Sequence, residues 1–213
     1  LESGEVFDLT YEDVAKKEGI FSPRAKYKPE PIIIGAGFVI PGLDNAIKEM
    51  SVGEKKSLTI SPKDGFGERD PKLVQTVPQN VFKDQKVEPR QGMIVDFSGM
   101  KGRIQSVSGG RVRVDFNNPL AGKTLKYELE VVEKIEGPLE KIKSVYEFFG
   151  FFDTDVKIEN KEAFVKAPIP QELRRRLSAV IIDNISGIDK VTYQESYEKK
   201  AKESETASME SST

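Results

Sequence analysis

With no histidine and no cysteine in 213 residues, the chain must do any chemistry with carboxylates, hydroxyls, amides, cations and aromatic rings. That excludes thiol nucleophiles, disulfides, cysteine metal sites, imidazole metal ligands, the Ser-His-Asp triad and imidazole acid–base work. The glycines of Gly35-Ala36-Gly37 suggest a dinucleotide loop, but Ile40 stands where G-x-G-x-x-G needs its third glycine. Asp64, ahead of Gly65-Phe66-Gly67, reads as part of a turn and lacks the surroundings of a kinase site. Arg174-Arg175-Arg176 looks like a nucleic-acid patch. Leu173, Leu177, Val180 and Ile181 flank it at helical spacing, so it reads as a solvated or ion-paired helix face. Asp8 alone reads as a turn or cap residue, and Phe7, Val39, Ile40, Leu43, Phe66 and Tyr127, taken singly, read as core.

The elements that must position these residues come from a soluble, densely charged chain. Hydrophobic residues make up 37% and charged residues 32%, and Lys+Arg 33 against Asp+Glu 35 leaves a net charge of −2. That balance supplies no field for nucleic acid or an anionic membrane surface. No stretch approaches the roughly 20 apolar residues that cross a bilayer, and no signal peptide opens the sequence. A reducing cytoplasm is the expected location, with any segment upstream of Leu1 outside this reading. The length suits one to three domains, since one core serves about 100 to 150 residues.

Along the chain, residues 6–9 suggest a short strand and 11–21 an irregular polar stretch. The β-branched run Ile32-Ile33-Ile34, closed by Gly35, suggests a buried strand. Pro41-Gly42 opens a helix carrying Leu43, Ala46, Ile47 and Met50 at helical spacing, followed by an alternating strand over 56–60. Between 69 and 116 prolines give way to β-like runs at 93–97, 101–107 and 111–116, the last two joined by the turn signal Ser108-Gly109-Gly110. Strand alternation returns over 124–135, with Leu125, Tyr127, Leu129 and Val131 on one face. Beyond Gly137-Pro138 the order reads helix (139–149), strands (156–159 and 163–167), helix (171–184) and strand (190–194). From 198 the chain is charged and then Ser/Thr-rich, with little to bury.

Ordered motifs join these elements to a known family. Leu1-Glu2-Ser3-Gly4-Glu5-Val6-Phe7-Asp8 resembles the FKBP signature in which an acidic-Gly turn leads to Phe-Asp. Ile34-Gly35-Ala36-Gly37-Phe38-Val39-Ile40-Pro41-Gly42-Leu43 resembles the family's Leu-Gly…Val-Ile-x-Gly-Trp/Leu element. Met50-Ser51-Val52-Gly53-Glu54-Lys55, Leu58-Thr59-Ile60-Ser61-Pro62 and Gly65-Phe66-Gly67 follow in family order. Asn118-Pro119-Leu120-Ala121-Gly122-Lys123-Thr124-Leu125-Lys126-Tyr127 is similar to the closing motif of SlyD-type members, Asn-x-x-Leu-Ala-Gly-x-x-Leu-x-Phe. The chain is thus identified as resembling an FKBP-type peptidyl-prolyl cis–trans isomerase of the SlyD-like, archaeal long type.

The resemblance implies an FKBP-like half-wrapped antiparallel β-sheet around a short helix with an inserted β-rich flap domain, and the patterning beyond Gly137 adds a C-terminal α+β domain, so the expected fold class is α+β. The expected domains are 1–68 with 117–136 (catalytic, its first strand and pocket Tyr upstream of Leu1), 69–116 (flap), 137–197 (C-terminal) and 198–213 (disordered tail). The resemblance also implies catalytic roles for Asp8, Phe66 and Tyr127, and substrate binding by Phe7, Ile32, Val39, Ile40, Leu43, Leu120 and Leu125. Leu43, where many members carry Trp, makes the pocket floor smaller and less aromatic. A backbone N–H near Ile40 is expected to donate to a substrate carbonyl. Implied partners are unfolded or partly folded proteins, proline-containing peptides and macrolide inhibitors, with no cofactor, nucleic acid or membrane.

In the insert, Val81, Phe82, Met93, Val95, Phe97 and Met100 exceed what a unit of under about fifty residues readily hides. They are expected to form a client-binding surface that gives the flap chaperone activity. Phe148, Phe149, Phe151 and Phe152 read as core or as a homodimer interface of the C-terminal domain. Two other functions stay open: a catalytically weak FKBP-like peptide-binding or scaffold module, favoured by Leu43, and an assembly protein acting through its C-terminal domain.

Overall fold

The computed structural model describes residues 1, 4–84, 86–97 and 99–195. The chain divides into two compact units, Leu1–Lys134 and a second starting at Ile135. The expected tail, 198–213, lies outside the described residues. The fold is α+β, with antiparallel pairing dominant and short helices.

The first unit opens without the expected strand over 6–9, which stays unpaired. Instead, helix α1 (Glu12–Lys17) forms in the stretch expected to be irregular. Local electrostatics explain it: Glu12 and Asp13 sit in the first turn, Lys16 and Lys17 in the last, and Glu12 pairs with Lys16 at 2.6 Å. Ala15 is the residue it buries.

The run 32–34 also forms no strand, and Ile34 is left 44% exposed. Prolines 29 and 31 lack the N–H donors a ladder needs, and Gly35 and Gly37 turn the chain at positive φ. The Gly35 N–H donates to both carboxylate oxygens of Asp44, at 2.9 and 3.0 Å. The loop is therefore anchored to helix α2 (Pro41–Lys48) rather than to a sheet.

Pro41 occupies the first position of α2, where its missing N–H costs nothing. Strands β1 (Lys55–Ile60) and β6 (Leu125–Glu130) pair antiparallel in a register that sets Leu58 opposite Tyr127 and Ile60 opposite Leu125. Period-two alternation turns Leu125, Tyr127 and Leu129 inward and Lys126, Glu128 and Glu130 to solvent.

Between those strands lie β2 (Val74–Pro78), α3 (Asn80–Asp84), β3 (Ile94–Phe97), β4 (Met100–Ser108) and β5 (Arg111–Asp115), in sheet order β2-β5-β4-β3. The sequence reading missed β2 because two prolines bracket it, yet it pairs along its length with β5. Gly109 and Gly110, both at positive φ, make the β4–β5 turn. Phe82, Ile104, Val112 and Val114 form this sheet's core, with Phe97 edge-on to both Phe82 and Phe116 at ring separations of 5.4 and 5.9 Å. Gly102 is obligatory there, because a Cβ would meet Val114 at 2.6 Å and Phe116 at 2.8 Å.

The second unit runs α4 (Pro138–Phe148), β7 (Asp155–Glu159), β8 (Glu162–Lys166), α5 (Gln171–Asn184) and β9 (Lys190–Tyr193), close to the order read from the sequence. Antiparallel β7 and β8 are joined through Asn160 and Lys161, both at positive φ. β9 then pairs parallel to β8, a connection that needs a crossover, which α5 supplies. Ile142, Val145 and Tyr146 of α4 and Leu177 and Ile181 of α5 are buried with Val156, Ala163 and Val165 of the sheet. Burial first, then its Tyr193 partner, raises the Tyr146 hydroxyl far above its ordinary pKa. That hydroxyl lies 3.1 Å from Tyr193 Oη, which donates to the Arg174 carbonyl at 3.0 Å.

Candidate functional site

The N-terminal turn of α2 brings Leu43 against Ile60 of β1, Leu125 of β6 and Leu120 of the loop before β6. Gly42 makes this approach possible: a Cβ there would lie 2.7 Å from Ile60 Cγ2. Leu43 is 8% exposed, and Val39, Ile40, Tyr127 and Leu1 pack against the cluster while partly open. Val39, Ile40, Leu43, Leu120, Leu125 and Tyr127, six of the expected site residues, therefore share one apolar cluster. Among the described residues none accepts a hydrogen bond from the Ile40 N–H, while the Ile40 carbonyl accepts from Leu43 and Asp44 to start the helix.

Phe66 follows the 3₁₀ turn Pro62–Asp64, the first after β1. Its neighbour Gly65 abuts Ile60 and Leu125, and the ring itself stays 37% exposed. Phe7 is 58% exposed, and Asp8 is exposed beside it. Burial raises the Tyr127 hydroxyl above its ordinary pKa, and the nearby Asp8 carboxylate raises it further. Tyr127 is therefore held as a neutral hydroxyl at an apolar surface with one carboxylate close by. Ile32 is partly buried but does not join the cluster. The sequence did not single out Asp44, which fixes the 35–40 loop to the helix, or Tyr11, whose hydroxyl donates to Glu130 Oε2 at 2.7 Å. The bonds from Tyr11 and then Lys55 hold the Glu130 carboxyl below the usual range. An acid three residues into a helix marks the first of these; no local signal marks the second.

Chemically, this arrangement can strip water from an amide and offer it apolar contact, one neutral hydroxyl and one backbone donor. Among the described residues no cluster of three or more Asp or Glu could hold a metal ion.

The insert corrects one expectation. Phe82 is 1% exposed and belongs to the core, because a ring that fills the centre of so small a sheet cannot also face clients. Met93, Val95 and Phe97 pack partly buried against it, and Val81 is partly buried. Met100, 58% exposed, is the expected residue that is open, and the sequence reading missed Ile94, 59% exposed, and Leu73, 39% exposed. A cleft of about 250 Å³ opens at the neck of the insert, lined by Arg69, Asp70, Gln105, Arg113 and Asn117 among others.

A family model, the FKBP26 IF domain, matches residues 75–120. Over 128 residues the chain is 41% identical to the short-type peptidyl-prolyl cis-trans isomerase of Methanocaldococcus jannaschii, covering 60% of this chain and 82% of that protein. It is 33% identical over 132 residues to the FKBP-type 16 kDa peptidyl-prolyl cis-trans isomerase of Escherichia coli, covering 60% and 86%. It is 34% identical over 110 residues to the FKBP-type peptidyl-prolyl cis-trans isomerase SlyD of Helicobacter pylori, covering 49% and 58%.

Proposed function

The chain belongs to the FKBP-type peptidyl-prolyl cis–trans isomerases, SlyD-like with an insert in the flap, and from that premise we propose how its own residues carry the reaction. Rotation about an X–Pro bond faces a barrier of about 18–20 kcal/mol because amide resonance holds the bond planar. The same resonance puts partial charges on O and N that water favours. The cluster around Leu43, Val39, Ile40, Leu120, Leu125 and Tyr127 receives the proline and excludes that water. The twisted transition state, being less dipolar, loses less by desolvation and is bound differentially. The Ile40 N–H donates to the substrate carbonyl, Phe7 and Phe66 close over the proline ring, and Asp8 orients the Tyr127 hydroxyl or the substrate amide. Ile32 contacts substrate at the margin. No proton moves and no covalent bond is made. The same basin would take macrolide inhibitors.

The observation that supports this reading is the gathering of those six residues about one glycine-permitted contact, with Asp8 beside Tyr127. A protease-coupled assay on a short X-Pro peptide tests it. Proline-bond turnover well above the uncatalysed rate is expected, whereas binding without turnover would make the chain a scaffold module.

The insert, 69–116, acts as a chaperone-like flap that raises the local concentration of unfolded chain, and the exposure of Met100 and Ile94 supports this. The remainder divides into a catalytic domain (1–68 with 117–136), a C-terminal domain from 137 to 197 and a tail. The protein works in the cytoplasm on proline-containing peptides and unfolded proteins, as a homodimer through its C-terminal domain. No helix among the described residues is long and apolar enough to cross a membrane.

A further inference from the structure

The two chain crossings at the neck of the insert are tied together by a polar network that the isomerase reading leaves unused. Asn117, buried, donates from Nδ2 to the Asp70 carbonyl at 3.0 Å and accepts from the Asp70 N–H at 2.8 Å, so its side chain replaces a backbone pairing between the incoming and outgoing strands. The Asp115 carboxylate, also buried, accepts from the Asn117 N–H at 2.9 Å and from Asn117 Nδ2 at 2.8 Å. It also accepts from Gln105 Nε2 at 3.0 Å and pairs with the Arg69 guanidinium. Gln105 is available because it is the extra residue of a β-bulge between Ile104 and Ser106.

Arg69 reaches Asp115 by lying across Gly122 of the Leu120-Ala121-Gly122 motif. Gly122 has φ +72°, its N–H donates to the Gly67 carbonyl at 2.8 Å, and a Cβ there would lie 3.0 Å from Arg69 Cγ. One arginine thus spans from the motif that delivers Leu120 and Leu125 to the apolar cluster, to the last strand of the insert. A hinge left to swing needs none of this; a buried carboxylate with its acceptor sites filled needs a fixed geometry.

We propose that Arg69, Asp115 and Asn117 form a latch that fixes the angle of the insert, and that they are positioning residues for turnover of protein substrates but not of short peptides. The effect on turnover rests on the isomerase reading above. A client held by the insert reaches the pocket at an effective concentration that depends on a restricted geometry, whereas a short peptide reaches it from solution.

The chain has no native cysteine, so Lys48→Cys on α2 and Ser108→Cys at the β4–β5 turn, both exposed, carry a single pair of spin labels on the full chain. A narrow distance distribution is expected, broadened by Arg69→Ala and more by Asn117→Ala, with Arg69→Lys recovering part of the order. On unlabelled chains, kcat/KM for a short X-Pro peptide should stay within about twofold, while that for a proline-limited refolding protein falls about three- to tenfold, chiefly through KM. Unchanged distributions, or equal loss on both substrates, overturn the latch. Should Asn117→Ala unfold the insert, Arg69→Ala still decides, because Arg69 is exposed and its loss leaves the Asn117–Asp70 pairing intact. Failure of the unmodified chain to turn over the peptide would instead sink the isomerase reading, while the distance distributions would still judge the latch.

Discussion

Asp8 and Phe66 are the residues whose removal should separate catalysis from folding, since both are exposed and neither fills the cluster around Leu43. Asp8→Ala and Phe66→Ala are each expected to lower peptide turnover by about tenfold or more while shifting the melting temperature little. Turnover at the unmodified level in both would remove them from the site. Gly42 poses the opposite case. Gly42→Ala puts a methyl group 2.7 Å from Ile60 Cγ2, so α2 must back away and about 1–3 kcal/mol of stability is lost. Denaturant unfolding measures this, and an unchanged midpoint would mean that the helix slides without cost. Leu43 and Tyr127 were legible in the sequence because the spacing of a helix and of a strand leaves each one direction to face. Phe82 was not legible: an aromatic in a small unit can be core or contact surface, and which of the two depends on the strands that close over it.

Among the elements, the sequence announced those with strict periodicity, namely α2, β1, β6, the β4–β5 hairpin and the whole order of the second unit. It failed where non-local demands overrode local type. The run 32–34 has strong β propensity but no partner strand among the described residues, and its closing glycine is held by Asp44 instead. Conversely, β2 looks broken by proline yet forms because β5 offers it a complete edge. The two ends of the proposed insert, 69–116, lie close together, which bears on whether it can be removed as a unit. Asp70 and Asn117 are within hydrogen-bond distance of one another, as are Gly67 and Gly122. Replacing 69–116 with a short loop should therefore leave the Leu43 cluster folded and short-peptide turnover within a few-fold, while activity on a refolding protein drops far more. Parallel measurement on the two substrates checks it, and equal loss on both would make the insert purely structural.

For the whole molecule, the second unit raises a question of stability that its own core only partly answers. A domain of about 60 residues buries only about 60% of the surface its unfolded chain exposes. This one leaves Phe152 45% and Ile182 39% exposed, and in its three-stranded sheet, ordered β7-β8-β9, both β7 and β9 are edge strands among the described residues. A second copy of the same unit can cover exposed apolar residues or a strand edge, and a two-fold axis pairs each such surface with its own copy. The expected outcome is a homodimer through the C-terminal domain: light scattering should give twice the chain mass for the intact protein, and the single-chain mass for a protein ending at Gly137. Phe152→Asp with Ile182→Asp should shift the intact protein toward monomer while peptide turnover stays unchanged, because neither residue belongs to the Leu43 cluster. A monomeric intact chain, or a dimer that persists without the second unit, would show that the exposed face serves something other than self-association.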